Sequence, residues 1–225
     1  MARKIKKKDL KKPDEFQTSF DKISRYILDN RSKFFIFLGV FVFLILSVSG
    51  WYFYRLNYEK NAQKIYSSAF DSYHKNSNTE TYMNAIKLYK ELVEKYPNSN
   101  VATNALYSMG NIYFNINEVD KSIDAYKEFI KKSRGCNELI ALAYIGTGYC
   151  YEVKENFTNA LESLDNSIKY GTGTSYEGII YRNMARIYEE MNNPTKALEY
   201  YKKALKQTTD PSMGKLIERK IAILG

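Results

Sequence analysis

The side chains that most often carry chemistry are few and far apart. The chain has one histidine, His74, and two cysteines, Cys136 and Cys150. A Ser-His-Asp or Cys-His set needs a base within reach of a nucleophile, and His74 has no such partner in view. It reads as a surface or groove-lining residue. One histidine and two cysteines also fall short of a tetrahedral Cys/His zinc site. No catalytic residue, cofactor or metal ligand is assigned, and the chain reads as a non-enzyme. Gly146-Thr147-Gly148 and Gly171-Thr172-Gly173 match fragments of phosphate-cradling loops, but no Gly-Lys-Ser/Thr follows either. They read as helix packing and a turn. Cys150 falls among packing positions and reads as a small buried hydrophobe; a bond to Cys136 stays open. Asn156-Phe157-Thr158 matches a glycosylation sequon, a short pattern that recurs by chance.

What remains is aromatic surface and charge. Of 21 Tyr, 18 lie after residue 55, enough to cover helix faces with large amphipathic rings. The net charge of +9 is uneven. Residues 1–33 hold 11 Lys/Arg against 5 acids, a net +6, and residues 55–225 carry only +3. The basic character belongs mostly to the tail, so nucleic-acid binding by the whole chain is not expected.

The elements that must position these groups begin with an apolar run. Phe34 to Tyr54 spans 21 positions without a charge, between Lys33 and Arg55. Fourteen of them are Phe, Ile, Leu or Val, worth roughly −6 kcal/mol on an insertion scale. About 20 apolar helical residues cross a bilayer, and Trp51, Tyr52 and Tyr54 stand where an aromatic belt belongs. A cleaved signal peptide is the rival, with Ser47-Val48-Ser49 as its site. A 33-residue leader before the run is too long for it, and the apolar character continues past that site. No cysteine follows the run, so a lipoprotein is excluded. Arg3, Lys4 and the lysines up to Lys12 keep the N-terminus cytoplasmic by the positive-inside rule. The repeats then lie in the periplasm or outside the cell. The tail reads as a topology signal, with anionic lipid head groups or ribosomal RNA as the alternative contacts. Phe16, Phe20, Ile23 and Ile27 follow Pro13 at helical spacing and predict a short amphipathic helix on the membrane surface, or against a partner.

Beyond Arg55 the sequence repeats. Ala85/Tyr89, Ser122/Tyr126, Ala160/Leu164 and Ala197/Tyr201 align at spacings of 37, 38 and 37. Upstream of the last three stand Leu106-x2-Met109-Gly110-x2-Tyr113, Tyr144-x2-Thr147-Gly148-x2-Tyr151 and Tyr181-x2-Met184-Ala185-x2-Tyr188. This resembles the tetratricopeptide repeat pattern, W-x2-L-G-x2-Y…A-x3-F…P, from about Tyr66 to Pro211. The resemblance implies helix hairpins that cross at small residues: Gly110, Gly148 and Ala185 on the first helices, Ala85, Ser122, Ala160 and Ala197 on the second. Tyr113, Tyr151 and Tyr188 are expected between the helices. The first unit departs, with Tyr73 where the small residue should be, and the usual Trp is Tyr or Leu. Tyr96-Pro97-Asn98 and Asn192-Asn193-Pro194 mark helix breaks. Leu56, Ala62, Ile65, Ala69 and Tyr73 keep helical spacing with no Gly or Pro after Trp51, so one helix is expected to run from the apolar segment into the first repeat.

The fold expected is all-α: an N-terminal transmembrane helix, then an α-solenoid of tetratricopeptide repeats. The bounds are 1–33 for a basic tail with its amphipathic helix, 34–54 for the anchor, 55–211 for about four repeats and 212–225 for a C-terminal capping helix. The resemblance also implies which first-helix positions face a concave groove. They are Asn104, Tyr107, Asn111, Phe114 and Asn115, then Leu142, Ile145, Tyr149, Glu152 and Val153, then Ile179, Arg182, Arg186, Glu189 and Glu190. Leu142, Ile145 and Tyr149 together are unusual on a solvated face, so the groove reads as a seat for partner proteins, unless the last helix covers it. The lysine-asparagine clamp that some family members use for terminal carboxylates is incomplete.

A basic tail, one membrane helix and these repeats are similar in plan to bacterial membrane-anchored tetratricopeptide proteins, among them the ancillary subunit of the Sec translocon. The resemblance implies a scaffold on the outer face of the cytoplasmic membrane, accessory to protein export, with translocon subunits and periplasmic chaperones as partners. Two other readings stay open. One is an organiser of envelope assembly or division; the other is a ribosome- or RNA-contacting membrane protein working through its tail.

Overall fold

A computed structural model describes residues 15–75, 78–133, 135, 137–171 and 176–225. These residues form ten α-helices and no strand, so the fold is all-α. Cys136 and Thr172-Gly173 lie outside the described residues, as does the tail up to Asp14. The chain divides into two compact units, Met1–Leu56 and Asn57–Gly225.

The first unit contains α1 (Glu15–Asp29) and the beginning of α2 (Arg31–Lys75). On α1, Phe20 and Ile23 are exposed and Ile27 is half-buried. Asn30 joins the two helices without a break in hydrogen bonding: its N–H donates to the Tyr26 carbonyl, and its own carbonyl accepts from Phe34 N–H. The apolar run lies within α2, and none of it is buried by other parts of the chain. A helix this long and apolar, left uncovered, is a candidate membrane span. It does not stop at Tyr54, because no Gly or Pro follows Gly50 within it.

The second unit is a row of helix hairpins. The part of α2 from Asn57 onward precedes α3 (Thr79–Lys95). Then come α4 (Asn100–Asn115) with α5 (Val119–Lys132), α6 (Asn137–Val153) with α7 (Phe157–Gly171), and α8 (Glu177–Glu190) with α9 (Pro194–Gln207). The last helix, α10 (Pro211–Leu224), packs on α9. From α3 to α10 each helix touches its neighbour in sequence, and α4 also touches α6. That nearest-neighbour pattern is a solenoid.

Starts and stops follow local chemistry. Asn78 and Thr81 form a capping box on α3, Ser99 caps α4, Asn193 caps α9 and Asp210 caps α10. Pro194 and Pro211 occupy first helical turns, where a missing N–H costs nothing. The three turns inside hairpins share one geometry. Asn117, Glu155 and Asn192 take left-handed φ values of 61°, 55° and 54°. Beside them the N–H groups of Glu118, Asn156 and Asn193 each donate to the carbonyl of Tyr113, Tyr151 or Tyr188 at 2.8 Å. These six-residue closures end each first helix in the same way.

The small residues sit at the helix crossings. Ala85, Ser122, Ala160, Ala185 and Ala197 are fully buried. A β-carbon on Gly148 would meet Leu164 at 3.2 Å and the Ala160 carbonyl at 3.4 Å, and one on Gly110 would lie 2.6 Å from the Tyr126 ring. Gly146 meets the same ring, so both glycines of Gly146-Thr147-Gly148 are packing positions inside α6. Ser122 donates to the Gly110 carbonyl at 2.8 Å and accepts from the Cys150 thiol at 3.2 Å. Cys150 is a free, buried thiol whose pKa burial pushes up.

The three signature tyrosines pack between the helices: Tyr113 is buried, and Tyr151 and Tyr188 are half-buried against the neighbouring cores, with the ammonium groups of Lys127 and Lys196 over their rings. One expectation needs correction. In the first repeat, Ala62 and Ala69 are the buried small residues, and Tyr73 instead pairs its ring with Tyr82 at 5.4 Å while Tyr66 meets Tyr89 at 5.5 Å. Aromatic rings join Ala62 and Ala69 in the α2–α3 seam, where Gly110, Gly148 or Ala185 serves the later repeats.

Candidate protein-interaction groove

The first helix of each hairpin contributes one wall to a chain of three hollows. The first, of about 290 Å³, lies among Tyr66, Phe70, Tyr73 and His74 of α2 and Asn104, Tyr107 and Asn111 of α4. The second, of about 360 Å³, continues from Tyr73, Tyr107 and Asn111 to Phe114 and Asn115, and to Leu142, Ile145 and Tyr149 of α6. The third, of about 410 Å³, starts at Tyr149 and is lined by Arg182, Asn183 and Arg186 of α8, Tyr201 of α9 and Leu216, Ile217 and Lys220 of α10. Shared residues make the three one continuous groove, of the size that ligand sites usually have.

Polar side chains hold its rings in place. The Tyr126 hydroxyl donates to Asn111 Oδ1 at 2.6 Å, Asn115 Nδ2 donates to the Tyr73 hydroxyl at 3.0 Å, and Asn183 Nδ2 donates to the Tyr149 hydroxyl at 2.7 Å. Tyr107 packs its ring against Tyr126 and Phe129, with centroids at 5.8 and 5.5 Å. Burial raises the pKa values of Tyr73, Tyr107 and Tyr126, so these phenols stay neutral. Among the described residues no group of three or more His, Cys, Asp or Glu side chains is placed to hold a metal ion.

Of the fifteen groove positions expected from the sequence, ten line this surface: Asn104, Tyr107, Asn111, Phe114, Asn115, Leu142, Ile145, Tyr149, Arg182 and Arg186; Val153, Ile179 and Glu190 line none of the three hollows. Glu152 and Glu189 line none of the three hollows. Glu152 forms a two-pronged ion pair with Arg186, one prong being Nη2 to Oε2 at 2.7 Å. Glu189 accepts from Lys220 Nζ at 2.9 Å and from the Tyr201 hydroxyl. Both acids serve as internal counter-ions that tie α6, α8, α9 and α10 together. The wall made by α10 replaces the cover that the sequence left open: the helix borders the third hollow through Leu216, Ile217 and Lys220.

Sequence reasoning missed the α2 wall because Tyr73 breaks the small-residue signature there. It also missed α10. Extending the 37-residue spacing once more finds it, since Leu142, Ile179 and Leu216 are equally spaced, as are Gly146, Asn183 and Lys220. The α10 helix stands where the first helix of a fifth unit would stand.

Paired helices, nearest-neighbour packing and a groove along the first helices define a helical-repeat scaffold with a concave binding face. Tetratricopeptide repeat models match residues 78–99, 104–134 and 139–210, more than half of the chain. The chain belongs to the tetratricopeptide repeat family and is a protein-interaction scaffold. No curated protein matches it. Among solved structures, a crystal structure of MamA protein matches with a TM-score of 0.56 at 21% identity, covering 72% of this chain and 81% of its own. MamA from Desulfovibrio magneticus RS-1 gives 0.53 at 14%, covering 65% and 75%. BtubC from P. vanneervenii gives 0.57 at 13%, covering 75% and 82%. These likenesses show the shared solenoid fold.

Proposed function

We propose that this chain is a non-catalytic, membrane-anchored scaffold that grips partner proteins in its groove on the outer face of the bacterial cytoplasmic membrane. The observation that carries the reading is the continuous groove itself, walled by one helix from every repeat and by α10. The uncovered apolar part of α2, residues 34–54, supports an anchor in the lipid bilayer, with the basic tail cytoplasmic and near anionic head groups. Export-channel subunits and periplasmic chaperones are the partners proposed, on the similarity of plan to membrane-anchored tetratricopeptide proteins.

The test is photocrosslinking in cells. A photoreactive phenylalanine analogue placed at Tyr107, in the groove, is expected to capture Sec translocon subunits or envelope chaperones identified by mass spectrometry. The same analogue at Lys131, on the exposed side of α5, is expected to capture none of them. Equal capture from both positions, or capture from Lys131 alone, overturns the groove as the working face.

A further inference from the structure

The junction of α1 and α2 carries a hollow far in sequence from the groove. It encloses about 250 Å³ among Tyr26, Ile27, Asn30, Lys33, Phe34 and Phe37. All six belong to the first compact unit. Ile27, Asn30 and Phe34 are half-buried around it, while Tyr26, Lys33 and Phe37 are exposed. Asn30 Nδ2 donates back to the Tyr26 carbonyl at 3.2 Å, which fixes its amide at the junction. Phe37 stacks on Phe41 with centroids 6.4 Å apart, so the apolar wall continues along α2.

The lining is graded from charged to apolar. Lys33 is the only charged residue among the six. It is also the last charge before the 21-residue uncharged run. Among the described residues it is paired with no carboxylate. A lysine at the end of an apolar helix extends its ammonium toward the head groups. Phe34 and Phe37 follow it, and at the rise of an α-helix Phe37 stands about 6 Å further along α2. On the α1 side Ile27 adds apolar surface. Tyr26 adds a ring of the amphipathic kind that settles at membrane interfaces. Cation first and apolar wall next is the order of a phospholipid, whose anionic head is joined to acyl chains. The neighbouring run of α2 is uncovered by any other part of the chain, so acyl chains have free access to that wall.

We infer that the α1–α2 hollow is a binding site for an anionic phospholipid, its phosphate at Lys33 and an acyl chain along Ile27, Phe34 and Phe37. This rests on the reading of residues 34–54 as a membrane anchor. The bound lipid ties α1 to the bilayer surface, where Phe20 and Ile23 add apolar contact of their own. The site is distinct from the lysine-rich tail, because no residue before Tyr26 lines it.

The test uses the full chain reconstituted in phosphatidylcholine vesicles. They are doped with phosphatidylglycerol or with phosphatidylcholine, each carrying a diazirine on an acyl chain close to the glycerol. Photolysis and peptide mass spectrometry map the labelled residues. The phosphatidylglycerol probe is expected to label residues 26–37 about fivefold more than the phosphatidylcholine probe, the scale of one lysine near an anionic head group. Residues 41–54 should take both probes equally. Lys33→Gln should remove the excess, Lys33→Arg should keep it, and deletion of residues 2–12 should leave it in place. Flotation of the vesicles in a density gradient after an alkaline wash shows that each variant is inserted. Equal labelling of residues 26–37 by both probes overturns the site and leaves the anchor standing. So does an excess that survives Lys33→Gln or disappears with residues 2–12. A full chain that does not float with the vesicles overturns the anchor and the site with it.

Discussion

Tyr126 lies so close to Gly146 that a β-carbon on the glycine would fall 2.6 Å from the ring's Cζ, and Gly110 on the neighbouring helix is equally near the same ring. One tyrosine from α5 is wedged between α4 and α6, with its hydroxyl fixed by Asn111. Gly146→Ala sets two effects against each other. Alanine gains about 1 kcal/mol of helix propensity over glycine, while overpacking costs typically 1–3 kcal/mol. The ring is buried and cannot swing away, so the clash should win and lower the melting temperature. In a Tyr126→Leu background the clash is gone and Gly146→Ala should stabilise. The same sign in both backgrounds would place the tight contact elsewhere.

Gly148 makes a second crossing, against Leu164 and the Ala160 carbonyl. Gly148→Leu should cost about 1–3 kcal/mol or more, since backbone on one side cannot give way. The check is the urea midpoint of the full chain in detergent; an unchanged midpoint would remove this position from the core.

Glu155 alone of the three hairpin-turn residues is neither glycine nor asparagine at positive φ. A left-handed conformation costs such a residue roughly 1–2 kcal/mol. Glu155→Gly should relieve most of it and stabilise by about 0.5–1 kcal/mol after the entropy glycine adds to the unfolded chain. A lower midpoint would mean that the Glu155 side chain contributes more than its backbone costs.

Alkaline pH offers a separate handle. Burial pushes the Tyr89 pKa from 10 to about 12, and it raises those of Tyr126 and Tyr201 as well. Their contribution to stability is complete below about pH 10, where both folded and unfolded phenols are neutral. It is lost as pH rises through the folded values, because the unfolded chain releases protons first. The urea midpoint should hold steady to about pH 10 and then fall, and Tyr89→Phe should make the fall shallower. An identical slope in that variant would argue that Tyr89 ionises freely in the folded state.

Binding should depend on Tyr149, which both the aromatic and the cationic hollows share. Tyr149→Ala should weaken capture of a partner by about 1–3 kcal/mol, and Tyr149→Phe, which loses only the bond to Asn183, by less. Equal losses would assign the effect to the hydroxyl rather than to the ring.

Much of this was legible in residue spacing. Ala85, Ser122, Ala160 and Ala197 fall at fixed intervals because one crossing geometry recurs, and periodic packing leaves a periodic sequence. The groove's centre was readable for the same reason, since Leu142, Ile145 and Tyr149 share one face of α6. Its ends were not. In α2 the buried small residues, Ala62 and Ala69, lie off the register kept by the later repeats and rings fill the rest of the seam, so Tyr66, Phe70 and Tyr73 carried no signature. Glu152 and Glu189 were placed by position on the groove face, yet spacing along one helix does not reveal a cation on the next. Pairing with Arg186 and Lys220 emerges only when α6, α8 and α10 are brought side by side.

The placement of α10 one repeat spacing beyond α8 makes the groove a ruler graduated in whole units. Its aromatic stretch is built by α2, α4 and α6, its charged stretch by α8 and α10, and the interval between them is fixed by how many hairpins intervene. A relative that gained or lost one hairpin between α6 and α8 would keep both kinds of surface but shift them apart or together by one full step. Partners would then be sorted by the length separating their own two features, and that length would change between relatives in increments, never gradually.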